Sequence, residues 1–219
     1  MTSDGTSFLY PFIEAEERDS TSLLADLASS ARTKQAGSTG LRSQTLEHSR
    51  AQIEAMAEAM AERFSNGGRL FVFGNGGSST DAAGIVALFR TPPWGRPLRA
   101  RSLAADRAVI TALGNDVGFD LIFSRQLIAY ARPADMALGV STSGNSTNLL
   151  AAFVEARRRE MLTLGLAGYD GGQMATSPEV QHCLVVSSDS VHRIQETQAA
   201  LGFELWSRIQ SLLQAGAVA

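Results

Sequence analysis

The feature that most constrains this chain is a repeated change of hydrophobic period. Five short runs, "RLFVFG", "LRARSL", "MALGVS", "LTLGLAG" and "CLVVSS", read as strands. Between and after them lie segments with helical spacing: Asp81 to Arg90, Gly118 to Ala131, Asn145 to Arg159, and a long one from about Val191 to Gln214. Strands that alternate with helices require a parallel sheet with helices on both faces. Continuous apolar strands fit a sheet buried on both sides. Ahead of the first run, Leu46, Ile53, Met56, Met60 and Phe64 fall on one face of a helix expected over Ser43 to Asn66, and Gly67-Gly68 supplies its stop.

Residues 8 to 34 read as one or two more helices, after which "KQAGSTG" (Lys34 to Gly40) breaks the pattern. Residues 1–42 are therefore expected to form an N-terminal helical arm or extension, and residues 43–219 the α/β domain. No tandem repeat or low-complexity tract is present.

With 219 residues, 44% of them apolar and 19% charged, the chain can bury the core of one α/β domain with added helices. The formal net charge of -3 is spread along the sequence, which argues against nucleic acid as the main partner. The densest basic run, "ARRRE", reads as a solvated helix face. The single cysteine, Cys183, precludes an intrachain disulfide and reads as a core thiol. The N-terminal stretch is not a signal peptide, because Pro11 interrupts its apolar run and acids follow. No apolar run approaches the roughly 18 residues that span a bilayer. A cytoplasmic protein without a membrane partner is expected.

In such sheets ligands bind beyond the carboxyl ends of the strands. Two strand ends lead into unusual loops, "NGGSSTD" and "STSGNST". The second places Ser141, Thr142, Ser143 and Ser146 around Gly144, with a helix starting at about Asn145. Hydroxyls and backbone N–H groups at a helix N-terminus donate to an anion, and glycine lets the backbone approach it closely. With no lysine in the loop, a nucleotide P-loop is excluded, and the cradle suits a phosphomonoester. The same residues would also serve as a serine-rich loop with an N-cap. "NGGSS" alone says less, since any strand-to-helix turn favours Gly, Asn and Ser.

Taken together, "FGNGGSSTDA", "ITALGNDVGFDLIFSRQ", "GVSTSGNSTN", "GYDGGQMA" and "RIQE" resemble the sugar isomerase (SIS) domain family, and within it the phosphoheptose isomerase group. That group interconverts sedoheptulose 7-phosphate and a heptose 7-phosphate. The resemblance covers about Ser43 to Leu213. It implies a three-layer αβα sandwich around a five-stranded parallel sheet, and a homotetramer with shared active sites. It maps a phosphate cradle to Ser141, Thr142, Ser143 and Ser146, and sugar contacts to Asn75, Gly76, Gly77, Asn115, Asp116 and Gln195.

The chain departs from that family where chemistry is needed. Aldose–ketose isomerisation uses a base to move a proton between adjacent carbons, and an acid or metal to stabilise the enediolate oxygen. The family resembles itself in placing His and Glu four apart on the helix after "NGGS", and Gln and His eight apart on the last helix. Here those positions hold Gly84 and Leu88, then Gln195 and Phe203. No metal site and no cofactor are expected. Asp81 is expected to cap or orient the first loop. His48 and His182 are expected at the surface.

Three readings remain open. The first is a sugar-phosphate-binding SIS protein without the metal-dependent isomerase reaction. The second is an active isomerase using another base, with His192, Glu196, Asp106 and Asp116 as candidates. The third is a protein-interaction scaffold, which the initiator-associating protein of the same group resembles.

Overall fold

The computed structural model describes residues 20–216. The chain divides into two units, Met1–Gly40 and Leu41–Ala219. Helix α1 (Ser20–His48) is continuous, and its described residues before Gly40 are mostly exposed, Leu24 and Leu27 among them. The expected helix over residues 8–19 lies outside the described residues. The expected break at Lys34 to Gly40 is corrected, because α1 runs through it. A glycine in a helix interior costs about 1 kcal/mol relative to alanine, and the cooperativity of the turns on either side absorbs it.

Helix α2 (Arg50–Ser65) follows after one residue, so the single helix expected over Ser43 to Asn66 is divided at Ser49. Then come β1 (Leu70–Gly74), α3 (Gly77–Arg90), β2 (Ala100–Ser102), α4 (Arg107–Asp116) and a single 3-10 turn (Phe119–Leu121). They are followed by α5 (Ile122–Tyr130), β3 (Met136–Val140), α6 (Thr147–Arg158), β4 (Leu162–Gly168), α7 (Gly172–Thr176), β5 (His182–Val186) and α8 (Val191–Ala215). All five expected strands form one parallel sheet in the order β2-β1-β3-β4-β5. The expected three-layer αβα sandwich is the observed fold. None of the described helices is long and apolar enough to cross a membrane.

Strands β3 and β4 sort their side chains by size between two cores. Leu70, Val72, Met136, Leu138, Val140 and Leu162 to Leu166 at alternate positions face α2, α3 and α8. The opposite face of β3 and β4 carries Ala137, Gly139, Thr163, Gly165 and Ala167. Those small residues let α6 and α7 dock closely. A Cβ on Gly139 would lie 2.6 Å from the Phe153 ring, and one on Gly165 would lie 2.9 Å from the Met174 methyl. On the other side, α2 buries Ile53, Met56, Met60 and Phe64, as its periodicity requires, while Leu46 is partly buried at the end of α1.

Two helices have no counterpart in the sequence reading. Helix α4 carries a β-branched stretch and Gly114, which weaken the helical signal, yet Asp106 caps it by accepting from the N–H groups of Ala108 and Val109 at 3.0 and 3.1 Å. Helix α7 is five residues long and opens at Gly172, which with the preceding Gly171 has positive φ.

The start of the sheet is held by one carboxylate. Asp135, 2% exposed, accepts from the Arg69 backbone N–H (2.8 Å), Arg69 Nε (3.2 Å), Arg69 Nη2 (2.7 Å) and the Arg132 N–H (2.9 Å). The hydrogen bond to Asp135 raises the pKa of Arg69. Arg69 precedes β1 and Asp135 precedes β3, so this contact sets the register Leu70↔Met136 through Gly74↔Val140. Replacing Asp135 with alanine removes the partner of a half-buried guanidinium and of two backbone N–H groups, and is expected to cost about 2–4 kcal/mol. Urea unfolding measures it, and a loss below about 1 kcal/mol would contradict the assigned role.

Candidate functional site

Beyond the carboxyl ends of β1 and β3 the strand order reverses direction. The connection from β1 leads outward to β2, and that from β3 leads the other way to β4. Such a switch point leaves a crevice between two loops. The two loops that meet here are Asn75–Gly76 and Ser141–Ser146.

The first loop is shaped by its glycines. A Cβ on Gly74 would lie 2.7 Å from the Val140 and Ser78 carbonyl oxygens, so only glycine lets the chain pass. Gly76 has φ +51 and is the N-cap of α3. The helix therefore begins at Gly77 and not at Asp81, as expected from the sequence. The Ser79 hydroxyl donates to the Gly76 carbonyl at 2.6 Å. Asn75 and Asn148 exchange amide hydrogen bonds in both directions, each 2.9 Å, which ties the first loop to the first turn of α6.

The second loop closes on itself. Ser141 is buried, and its Oγ accepts from the Gly144 N–H at 3.0 Å and lies 3.5 Å from the Ser146 Oγ. The Ser143 Oγ accepts from the Asn145 N–H at 3.2 Å. Gly144 has φ +65, and a side chain there would run into the Gly171 carbonyl. The "YDGG" segment supports the loop from behind, with the Gln173 N–H donating to Asn145 Oδ1 and the Met174 N–H to the Gly144 carbonyl, both at 3.0 Å. Ser146 stands at the N-cap of α6 but makes no side-chain cap bond. Thr142, Ser143 and Ser146 are half-buried. A serine serving only as a cap would spend its hydroxyl on the N2 or N3 N–H. The Oγ of this one lies 3.5 Å from the Ser141 Oγ, at the positive end of a helix dipole.

On the far side of the crevice, Gln195 of α8 donates through Nε2 to Asp81 Oδ2 at 2.8 Å. A Cβ on Gly77 would lie 2.5 Å from that nitrogen, so Gly77 makes room for the amide. Asp81 thus joins α3 to α8 and does not cap the first loop. A cleft of about 310 Å³ opens beside the first loop, with Asn75, Gly76 and Ser79 on one side and Arg107, Thr111 and Phe119 on the other.

Asn75 and Gly76 line this cleft, whereas Gly77, Gln195 and Ser141, Thr142, Ser143 and Ser146 are not among its lining residues. Asn115 and Asp116 are not drawn in. They lie exposed at the end of α4, bonded to each other at 3.0 Å and to neither loop among the described residues. His192 and Glu196 are exposed on the first turns of α8. Asp106 is occupied as a helix cap. The sequence reading did not single out Asn148 or the Asp81–Gln195 contact. Asn148 stands inside the quoted run "GNSTN", but its partner lies 73 positions away.

The remaining candidate groups are chemically quiet. His182 is half-buried in β5, not at the surface as expected, because the strand begins one residue earlier than the apolar run; burial lowers its pKa. His48 is exposed, with its Nδ1 2.8 Å from the Gln44 carbonyl. Burial pushes the Cys183 thiol up to about 11, so it stays protonated at neutral pH and is a poor nucleophile.

At the positions where the resemblance puts a metal, the residues do not fit one. Gly84 is exposed, with open space where a Cβ would stand. Leu88 packs against the core. The Phe203 ring lies 5.2 Å from Trp206, which in turn meets Trp94 edge-on at 4.8 Å. Gln195 alone has donor atoms, and its amide is engaged by Asp81. Zinc takes several ligands from Cys, His and carboxylates, which one amide cannot replace. Among the described residues no group of three or more His, Cys, Asp and Glu converges.

The model of the SIS domain matches residues 35–168. The chain is 41% identical over 163 residues to the phosphoheptose isomerase of Solidesulfovibrio magneticus, covering 74% of this chain and 78% of that one. Among solved structures it is similar to the phosphoheptose isomerase of Neisseria gonorrhoeae, with a TM-score of 0.78, 33% identity, and coverage of 84% of this chain and 99% of that one. The phosphoheptose isomerase from Francisella tularensis gives a TM-score of 0.78 at 31% identity, with 84% and 98% coverage. With the serine loop, the glycine loop and the strand order all in place, the chain belongs to the SIS domain family and is related within it to the phosphoheptose isomerases.

Proposed function

We propose that this SIS protein binds a sugar phosphate in the cytoplasm and does not carry out the metal-dependent isomerase reaction. The phosphate sits on Ser141, Thr142, Ser143 and Ser146, and the sugar against Asn75, Gly76, Gly77 and Gln195. Asn115 and Asp116 join the site from a neighbouring copy of the chain. Residues 1–42 form an appended arm. The observation that carries the reading is a contrast between the two halves of one crevice. The serine loop keeps a Ser146 hydroxyl beside Ser141 with no cap bond, whereas positions 84, 88 and 203 hold Gly, Leu and an exposed phenylalanine whose ring touches Trp206.

A second reading, an isomerase with a different base, draws support from Asp81. Its carboxylate is half-buried and bonded to Gln195. It could take a proton from one carbon of the substrate and return it to the next without a metal.

Replacing Ser143 and Ser146 together by alanine is expected to weaken binding of a sugar phosphate on the order of a hundredfold, since a hydrogen bond to a charged group is worth about 1.5–3 kcal/mol. Calorimetry reads it, and unchanged affinity would overturn the assignment of the cradle.

Protein purified without a tag is expected to hold no stoichiometric zinc and to show no zinc-stimulated heptose-phosphate isomerisation. One zinc per subunit, with turnover abolished by a chelator, would refute the first reading. Metal-independent turnover that disappears in Asp81→Asn or His192→Ala would establish the second and name its base.

The same proposal includes a homotetramer. Val191 and Phe203 are exposed on α8 and offer apolar surface to another copy. Light scattering at micromolar concentration should return the mass of four 23.3 kDa chains. A monomer mass would exclude it.

A further inference from the structure

Helix α8 touches the start of α3, directly after the first loop, and the second loop through two glutamines one turn apart. Gln195 donates to Asp81 and rests on Gly77, at the start of α3. Gln198 points to the other loop, and its Nε2 donates to the Ser141 carbonyl at 3.0 Å. Residues at i and i+3 lie on one helical face, so a single rigid helix reaches both at a fixed spacing.

Gln198 is an expensive residue for its position. Its side chain is fully buried, and its Oε1 has no hydrogen-bond partner among the described residues. A buried amide with an unsatisfied oxygen is less favourable than an apolar side chain of the same shape. What it supplies in return is the donor that holds the Ser141 carbonyl. Ser141 is the hinge of the loop, since its N–H continues the sheet by donating to the Leu166 carbonyl at 2.9 Å while its hydroxyl receives the Gly144 N–H. With that carbonyl held from behind, the peptide plane after Ser141 cannot rotate, and the hydroxyls and N–H groups from Ser141 to Ser146 keep their directions.

We propose that Gln198 is a positioning residue for the anion loop, and that together with Gln195 it sets the separation of the two loops from behind the crevice. The proposal rests on the reading of Ser141–Ser146 as a phosphate cradle. Anion affinity then depends on a side chain buried behind the loop, and preorganisation of the donors is what the side chain contributes.

The test compares Gln198→Met, close to the native shape, with Leu201→Ala, a buried change one turn further along α8 with no bond to the loop. Gln198→Leu serves as a second variant should the methionine protein not fold. Inorganic phosphate binding is measured by calorimetry, the melting temperature by calorimetric scanning, and amide hydrogen exchange of Ser141–Ser146 in the ligand-free protein. The expected result is a split. Gln198→Met loses roughly tenfold in phosphate affinity, as for one hydrogen bond that holds the binding conformation, and the loop amides exchange faster, while the melting temperature changes little. Leu201→Ala lowers the melting temperature and leaves affinity and loop exchange as in the parent protein. Equal phosphate affinity and equal loop exchange in Gln198→Met and the parent would overturn the proposal. Should the parent protein itself fail to bind phosphate, the cradle reading falls, and the exchange measurement alone decides whether Gln198 holds the loop.

Discussion

The carboxylate of Asp135 keeps β1 and β3 in step, and the rest of the crevice depends on that pairing. Four N–H donors from Arg69 and Arg132 converge on it at the closed end of the sheet. A slip of one residue would leave this buried charge without its donors and turn Val72 and Leu138 toward the wrong core. With the register held, Gly74 stands beside Val140, and the loops that follow the two strands emerge next to each other. Asn75 and Asn148 can then exchange their amide hydrogen bonds only because the strands end level.

The two faces of the sheet contribute differently to the site. On one face, Ala137, Gly139 and Gly165 make room for Phe153 and Met174, which brings α6 and α7 close to the strands. That close approach sets the N-terminus of α6 at the end of β3 and puts the "YDGG" segment directly behind Gly144. On the other face, leucines, Met136 and valines pack against α3 and α8, the helices that carry Gly84, Leu88, Gln195 and Phe203. The half of the site that carries the serine cluster is thus made by loops, and the half that carries positions 84, 88, 195 and 203 is made by helix surfaces. The two halves meet in α8, which carries Phe203 beside Trp206 and also Gln198, whose Nε2 donates to the Ser141 carbonyl.

Much of this was legible in the order of residues. The five strands and the four long helices of the domain follow from the change of hydrophobic period, and the serine cluster stands before a helix as the sequence implies. Less legible were elements whose local signals are weak. Helix α4 depends on the Asp106 cap, α7 is too short to show a period, and α1 continues through a glycine pair because helix propagation outweighs the local cost. His182 shows the same limit, since a histidine at the edge of an apolar run can end just outside a strand or just inside it, half-buried.

By itself the sequence determined which residues alternate, which turns require glycine, and that positions 84, 88 and 203 have no group able to bind a metal or move a proton. These are properties of residue type and spacing, and the chain carries them before it folds. Only the tertiary structure decided which strands are neighbours, and therefore which loops share a crevice. It decided that Asp81 belongs to Gln195 and not to the nearby loop, that Asn75 belongs to Asn148, and that the Ser146 hydroxyl makes no cap bond. Hydrogen bonds between residues 73 or 114 positions apart have no local signature. They exist because parallel pairing and helix packing bring distant donors and acceptors within 3 Å in partly buried positions.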